Sequence, residues 1–471
     1  MFQLLLINEM KLLIKDFKFQ IFILLSLALF IVSAFSGVSA YNLQTNEFSN
    51  LSDNHQKMVQ EARMLSLRRL ISYNHAISVN DSPSPALLFN SYDDYPNRVT
   101  SWILFYNPIY RKIGALGSDT FNLNWNFILG TLMSFMLLIL SFEAISKEKR
   151  TGTLRLSSLY GFKRQSILFS KYISYMLLYF IIIIPPSLIS MILFFAITGT
   201  WDISYMTKLL AIILISFPFA SFFVLLGIFI SMAKNYQKTI ITIIFVWLLF
   251  VIIIPQTAVL LGRQFAPIKS TVQYQQQKDK AFNDELAIWY QQHGHAVGSS
   301  TRIQEGLRTQ AVNAADEKRN IVHLQEIDDS IKQMRMVQLI SKLSPLYQYE
   351  EISEILFDKG SYLFENMQKT LRTSRALIRN LIIEQDKTDS SSLNLVYTWA
   401  ENDSGDLIGT GKTTFSNQMF EHPNLLFITN IQSDNTLNKV IMVFLKMLPI
   451  LALNLLLIFF SVLRLEKLDI R

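Results

Sequence analysis

The sequence predicts an all-α polytopic membrane protein: six transmembrane helices with two external insertions, the larger mainly helical with a small β or irregular part. Three observations carry that prediction. Hydrophobic residues make up 51% of the 471, with 35 Phe, while charged residues reach only 17%, below the roughly 25% of soluble domains. Mean hydropathy is positive, +0.29. The apolar residues also gather in runs close to the ~20 residues that carry a helix across a bilayer.

The net charge of +7 does not point to nucleic acid, because the Lys and Arg stand at the ends of the apolar runs. That is the arrangement of cytoplasmic loops and span ends. There is no Cys, which excludes disulfides, thiolate zinc sites, Cys-ligated iron–sulfur clusters and thiol catalysis.

Taken in order, residues 1–18 read as an amphipathic helix on the inner membrane surface. Leu5, Leu12 and Leu13 fall near one face, and Lys11, Lys15 and Lys18 spread round the rest. The first span is 19–40. Its basic lead and Val38-Ser39-Ala40 resemble a cleavable signal, but the later spans make cleavage unnecessary, so an uncleaved anchor is expected. Residues 41–124 form the first external domain, with a helical stretch at Asn54–Tyr73 and Pro- and Asn-rich loops through Asp81–Asn97.

The second span, 125–142, is entered through Phe121 and Trp125, which suit an aromatic belt. A basic connector, 143–168, leads to the third span, 169–198. Pro185-Pro186 inside that span should kink it and leave carbonyls that a neighbour must satisfy. The fourth span is 205–232, followed by the basic turn Ala233–Lys238. The fifth, 239–261, contains Pro255.

Residues 262–438 form the larger external domain. From Ile268 to Lys387 apolar residues recur at helical spacing, as in Ile321, Leu324, Ile327, Ile331 and Met334, until Ser344-Pro345 interrupts. From Ser390 to Ser433 the composition turns to Asn, Thr, Ser and Gly, with short apolar runs at Leu393–Trp399 and Leu425–Ile428. Strands or irregular loops are expected there. The sixth span is 440–463, and the tail, 464–471, is basic. The short basic segments place both termini, the connector and the 233–238 turn in the cytoplasm. A cell (inner) membrane location follows.

Candidate chemistry in the chain itself is thin. Gly409-Thr410-Gly411-Lys412-Thr413-Thr414 resembles the end of a phosphate-binding loop, but the first glycine should stand at 406. That position is Asp406, and Gly405 is out of register. A flexible external turn is expected instead. His293-Gly294-His295 lacks an evident third ligand, so a polar bend is expected rather than a metal site. No hydrolase grouping stands out, and ionisable residues are nearly absent from the spans, which argues against ion-coupled transport. Asn8, Glu9, Lys11 and Glu143 are candidates for pairing at the inner surface. Glu143 is left between pairing and facing the headgroups.

The connector carries the sharpest signal. Between Glu143 and Lys171 stand seven Lys or Arg against two Glu, with Leu154, Leu156 and Leu159 recurring beyond Gly152. The run Glu148-x-x-x-Gly152-Thr153-Leu154, followed by Arg164, Ile167, Lys171 and Tyr172, resembles ABC-2 type transporter permeases. In that family these motifs follow the second span and open the third. The likeness is close over this stretch and extends by layout to the six spans and the leading surface helix. Leu343-Ser344-Pro345 and Tyr347–Leu356 resemble a short helix that a subgroup with large external domains carries before its last span. Gly161-Phe162 departs from the proline turn of many members, which leaves open where the docking helix ends.

The resemblance implies a permease without ATPase activity, paired with itself or a sister permease and driven by separate ABC ATPase subunits. Glu143, Glu148, Lys149, Arg150, Gly152, Thr153, Leu154, Arg155, Arg164 and Lys171 are then the expected ATPase-docking residues. No cofactor is expected in this chain, ATP and Mg belonging to the partner subunits. Membrane lipids and a periplasmic or external protein are further expected partners. Export is the favoured function. The alternatives are a complex that does mechanical work on an external partner without transport, and a membrane scaffold or receptor.

Overall fold

A computed structural model describes residues 2–62, 77–78, 87, 98–99, 123–233, 236–293, 302–388, 400–401, 407–408 and 436–467. Residues 409–414, Gly405, Asp406, Gly294, His295, Phe121 and Lys234 lie outside the described residues, as do the 393–399 and 425–428 runs. Among the described residues the regular structure is helical apart from two two-residue antiparallel ladders. In the first, β1 (Ile77–Ser78) pairs with β2 (Arg98–Val99), and in the second, β3 (Ala400–Glu401) pairs with β4 (Leu407–Ile408).

Among the described residues six helices are long and apolar enough to cross a membrane. After α1 (Phe2–Ile14), helix α2 (Phe17–Ala62) supplies the first and continues well past it. Nothing between Tyr41 and Ala62 is Pro or Gly, so the polar change there turns the helix from apolar to wet without ending it. Helix α3 runs from Trp125–Phe127 through a π-helical turn at Ile128–Leu132 into Met133–Ser141. Two short helices, α4 (Ser146–Thr151) and α5 (Thr153–Leu159), make the connector, and α6 (Arg164–Thr198) follows.

Helix α7 (Ile203–Ser231) starts at Asp202, whose carboxylate accepts from Ser204 N at 2.8 Å, an N-cap. Helix α8 comprises Tyr236–Leu248, a π-helical turn at Leu249–Ile253 and Ile254–Phe265. Next come α9 (Thr271–His293), α10 (Arg302–Ser341), α11 (Pro345–Phe357), α12 (Gly360–Thr388) and, last, α13 (Thr436–Glu466).

Spans two and four are the centre of the bundle. About seven in ten residues of their apolar windows are buried, 72% and 67%, against 17% and 11% in spans five and six. Close approach at the centre depends on glycine: a Cβ at Gly227 of α7 would stand 1.9 Å from Ser141 Oγ of α3. The interior polar groups tie helices together. Trp125 Nε1 donates to Ser190 Oγ at 3.1 Å, Tyr179 to Ser216 at 2.8 Å and Trp247 Nε1 to Ser134 Oγ at 3.0 Å.

The prolines have the neighbours that the missing N–H groups require. Pro186 cannot donate to the carbonyl of Ile182, and Ser26 Oγ of α2 does so instead at 2.8 Å. The carbonyl of Phe250, in the π-turn before Pro255, receives Ser344 Oγ at 2.5 Å.

Helices α9 and α10 form an antiparallel hairpin that leaves the bundle alongside α8, where Gly262 admits Val337. Polar cross-links hold it. Tyr274 donates to Asp329 at 2.8 Å, Lys278 pairs with Glu326 at 2.5 Å, and Arg335 makes a two-pronged pair with Glu365 of α12. Burial pushes the Asp316 carboxyl of α10 from 3.8 up to about 6. Arg319, 3.6 Å away, rests on the Phe282 ring.

A carboxyl with a raised folded pKa binds more protons folded than unfolded between those two values. Hairpin stability should therefore fall as pH rises from about 4 to about 6. Asp316→Asn should flatten that slope, measured as amide exchange in α9 and α10 corrected for intrinsic rates.

Candidate functional site at the connector

The connector end of the bundle is assembled by ion pairs between segments far apart in the chain. Lys171 lies in the second turn of α6 with its side chain 3% exposed. Its ammonium meets Glu9 Oε1 of α1 at 2.8 Å and Glu148 Oε1 of α4 at 2.5 Å. A buried ammonium is stable only with such compensation. One cation therefore fixes α1, the connector and α6 to each other.

Glu143, left open between pairing and headgroups, accepts from Lys18 Nζ at 2.8 Å, and the same ammonium sits 4.8 Å from the Phe142 ring centroid. Helix α1 lays Leu5, Met10 and Leu13 on the bundle, while Leu12 points outward, 67% exposed. The helical wheel puts Leu12 with Leu5 and Leu13. The side that packs is instead the one that brings Glu9 to Lys171.

Further bonds tie the connector to the remaining spans. Ser231 Oγ at the end of α7 accepts from Ile145 N at 3.3 Å. Arg164 Nη1 donates to the carbonyls of Leu465 and Glu466 at 3.1 and 2.7 Å, occupying acceptors that the end of α13 leaves without helical partners. Gln165 reaches Glu466 at 3.1 Å. Tyr172 bonds Ser221 of α7 at 2.8 Å.

Between α4 and α5 the chain turns through Gly152 at φ +75°, and α5 ends near Gly161 at φ +79°. No atom crowds a Cβ at Gly152, so the constraint there is purely the backbone. Gly152→Val should cost about 1–2 kcal/mol, the left-handed penalty of an L-residue. Gly152→Asn should be milder, since Asn tolerates that conformation. Thermal unfolding of the solubilised chain is the check.

The ten expected docking residues divide into an inward set, an exposed set and the turn residue Gly152. Glu143, Glu148, Leu154, Arg164 and Lys171 face the protein: Leu154 is 2% exposed, and the other four make the bonds just described. Gly152 forms the turn. Lys149, Arg150, Thr153 and Arg155 are exposed.

Beside them the structure adds an apolar face. Leu156, Leu159 and Tyr160 stand at i, i+3 and i+4, with 53%, 74% and 74% exposure. None of the three is among the ten expected docking residues, and the spacing of Tyr160 from Leu156 is what places it on the same face. Among the described residues no group of three or more His, Cys, Asp or Glu could hold a metal.

These features define a class: a six-span membrane subunit whose helices converge on a short, exposed, basic and apolar connector. The chain matches the family model described as "ABC-2 family transporter protein" over residues 4–366, which takes in α1, the connector and α11. It belongs to the ABC-2 family of transporter proteins, and is accordingly a permease subunit of an ABC transporter, a family whose ATPase activity resides in partner subunits. No curated protein and no solved structure matches the chain.

Proposed function

We propose that the chain is an exporter permease moved by ATPase subunits that dock on the connector. The observation that carries this reading is the two-sided build of α4 and α5. Leu156, Leu159 and Tyr160 with Lys149 and Arg155 offer an apolar face rimmed by cations. The opposite side is locked by Leu154 and by the Lys171 pairs to Glu9 and Glu148.

A push on α5 is then delivered to α1 and α6 as a rigid-body displacement, the type of interface shift that switching proteins use. Orientation follows from the positive-inside rule. The connector and both ends of the chain are cytoplasmic, the α9–α12 region is external, and the membrane is the cell (inner) membrane. A second permease, itself or a sister chain, is the partner proposed for the weakly covered spans.

A second reading has its own support. Helix α10 has 40 residues, about 60 Å at 1.5 Å each, and packs on the end of α8. Such a lever suits mechanical work on an external protein. Reconstitution of the permease and its ATPase in vesicles separates the two. ATP-dependent loss of an amphipathic fluorescent cargo supports export. ATP hydrolysis with no cargo movement, but altered accessibility along α10, supports mechanical work.

A further inference from the structure

Helix α11 is seated inside the bundle at the end opposite the connector, among spans two, four, five and six. Its N-cap Ser344 accepts from Tyr347 N at 3.3 Å and donates to the Phe250 carbonyl of α8. Leu346 fills the space left by Gly130 of α3, where a Cβ would stand 2.6 Å from its Cδ1. The Tyr349 ring stacks on Phe219 of α7 at 5.1 Å, and further along Phe357 meets Tyr205 edge-on at 5.4 Å. The helix thus rises from mid-bundle to the mouth.

The attachment to span six is ionic and regular. Lys446 of α13 pairs with Glu351, and Lys439 with Asp358 at 2.6 Å. Both partners are seven residues apart on each helix, two turns or about 10.5 Å. The result is a two-rung ladder between antiparallel helices. Lys208 of α7 adds a longer contact to Asp358 at 4.0 Å.

The rest of the seat is imperfect. The Tyr349 hydroxyl and Gln348 Oε1 are buried without a hydrogen-bond partner, a cost that water would remove. Asp358 (φ 54°) and Gly360 (φ 56°) give the C-terminal end of α11 a sharp left-handed turn.

We propose that α11 is a movable closure of the bundle at the end opposite the connector, and that the ladder Glu351–Lys446 and Asp358–Lys439 is its latch. Unseating α11 wets Tyr349 and Gln348 and opens the mouth between spans two, four, five and six. It also moves α10, which is joined to α11 by only three residues. The proposal rests on the permease reading only for what would pass through the opening.

The test needs neither ATPase nor cargo, so its failure leaves the docking reading untouched. The chain has no Cys, so Tyr349→Cys gives a single thiol, and Ser187→Cys, fully buried in α6, a reference. Labelling by a membrane-impermeant maleimide is followed in native membranes on the full chain. With the ladder intact both thiols should label slowly.

Lys439→Gln with Lys446→Gln should speed labelling at 349 by about tenfold or more, one decade for each 1.4 kcal/mol of latch lost, and leave 187 slow. The charge-reversed chain, Glu351→Lys, Asp358→Lys, Lys439→Glu and Lys446→Glu, should return 349 to slow labelling. Slow labelling at 349 without the lysines overturns the latch. If the neutral variants unfold, 187 labels too and the charge-reversed chain decides: slow at 349 supports the proposal, fast overturns it.

Discussion

Lys171→Met is expected to be the most damaging single substitution at the connector end, lowering stability by about 3–5 kcal/mol, the range for removing one partner of a buried ion pair. The reason is what remains. Glu9 and Glu148, with side chains 15% and 21% exposed, would face each other without the cation that joins them, and α1 and α4 would lose their common anchor on α6. The loss should appear as a lower unfolding temperature of the solubilised chain.

Replacing the whole cluster tests the physics further. Glu9→Leu, Glu148→Leu and Lys171→Met together should recover most of the stability, because an apolar set avoids the desolvation cost that the charges carry. If ATP-driven activity stays lost in that stable variant, the triad serves transmission as well as folding.

Gly227→Ala should cost about 1–3 kcal/mol, the usual penalty for overpacking a filled interior. The new Cβ would lie 1.9 Å from Ser141 Oγ and 3.0 Å from Ser141 Cβ. Rotating the serine hydroxyl would relieve only the first contact, and would break its 2.7 Å bond to the Leu137 carbonyl. Spans two and four are the best-covered helices of the bundle, so a forced separation there spreads to every packed neighbour. Ser141→Gly in the same chain should return part of the loss. The shortfall from additivity of the two substitutions, read from unfolding temperatures, measures the contact itself.

Much of the bundle was legible because apolar runs near bilayer length leave few alternatives. Composition marks a boundary at Tyr41, yet α2 runs on to Ala62, since hydropathy registers wetting and not helix ends. The π-turns before Met133 and Ile254 have no sequence signal. The second leaves the Phe250 carbonyl without a backbone donor at Pro255, and Ser344 reaches it from 94 residues away.

The candidate site was legible in its membership and not in its direction. Glu9, Glu143, Glu148 and Lys171 all stand out as charges near span ends, but periodicity cannot tell that Lys171 and Glu9, 162 positions apart, meet. For the same reason the motif expected to dock ATPase has residues that face the protein, Glu148, Leu154 and Lys171, and others that are exposed, Lys149, Arg150 and Arg155. Lys171 and Lys446 also qualify the reading of spans nearly free of charge. Each lies within a span and each is neutralised by a carboxylate from another element.

On the proposed function, ATPase subunits bind the outward face of α5. The direct measurement is the amount of ABC ATPase that co-purifies with the tagged full chain from its own membranes, before and after Leu156→Asp with Leu159→Asp. Both side chains are largely exposed, so the fold should survive, as unchanged unfolding temperature and elution volume would attest. The expected result is stoichiometric ATPase with the native chain and a loss of about tenfold or more with the variant, since burying two carboxylates in an apolar interface costs well over the 1.4 kcal/mol that a decade represents. Undiminished ATPase on the folded variant would mean that the outward face of α5 is not where the ATPase docks.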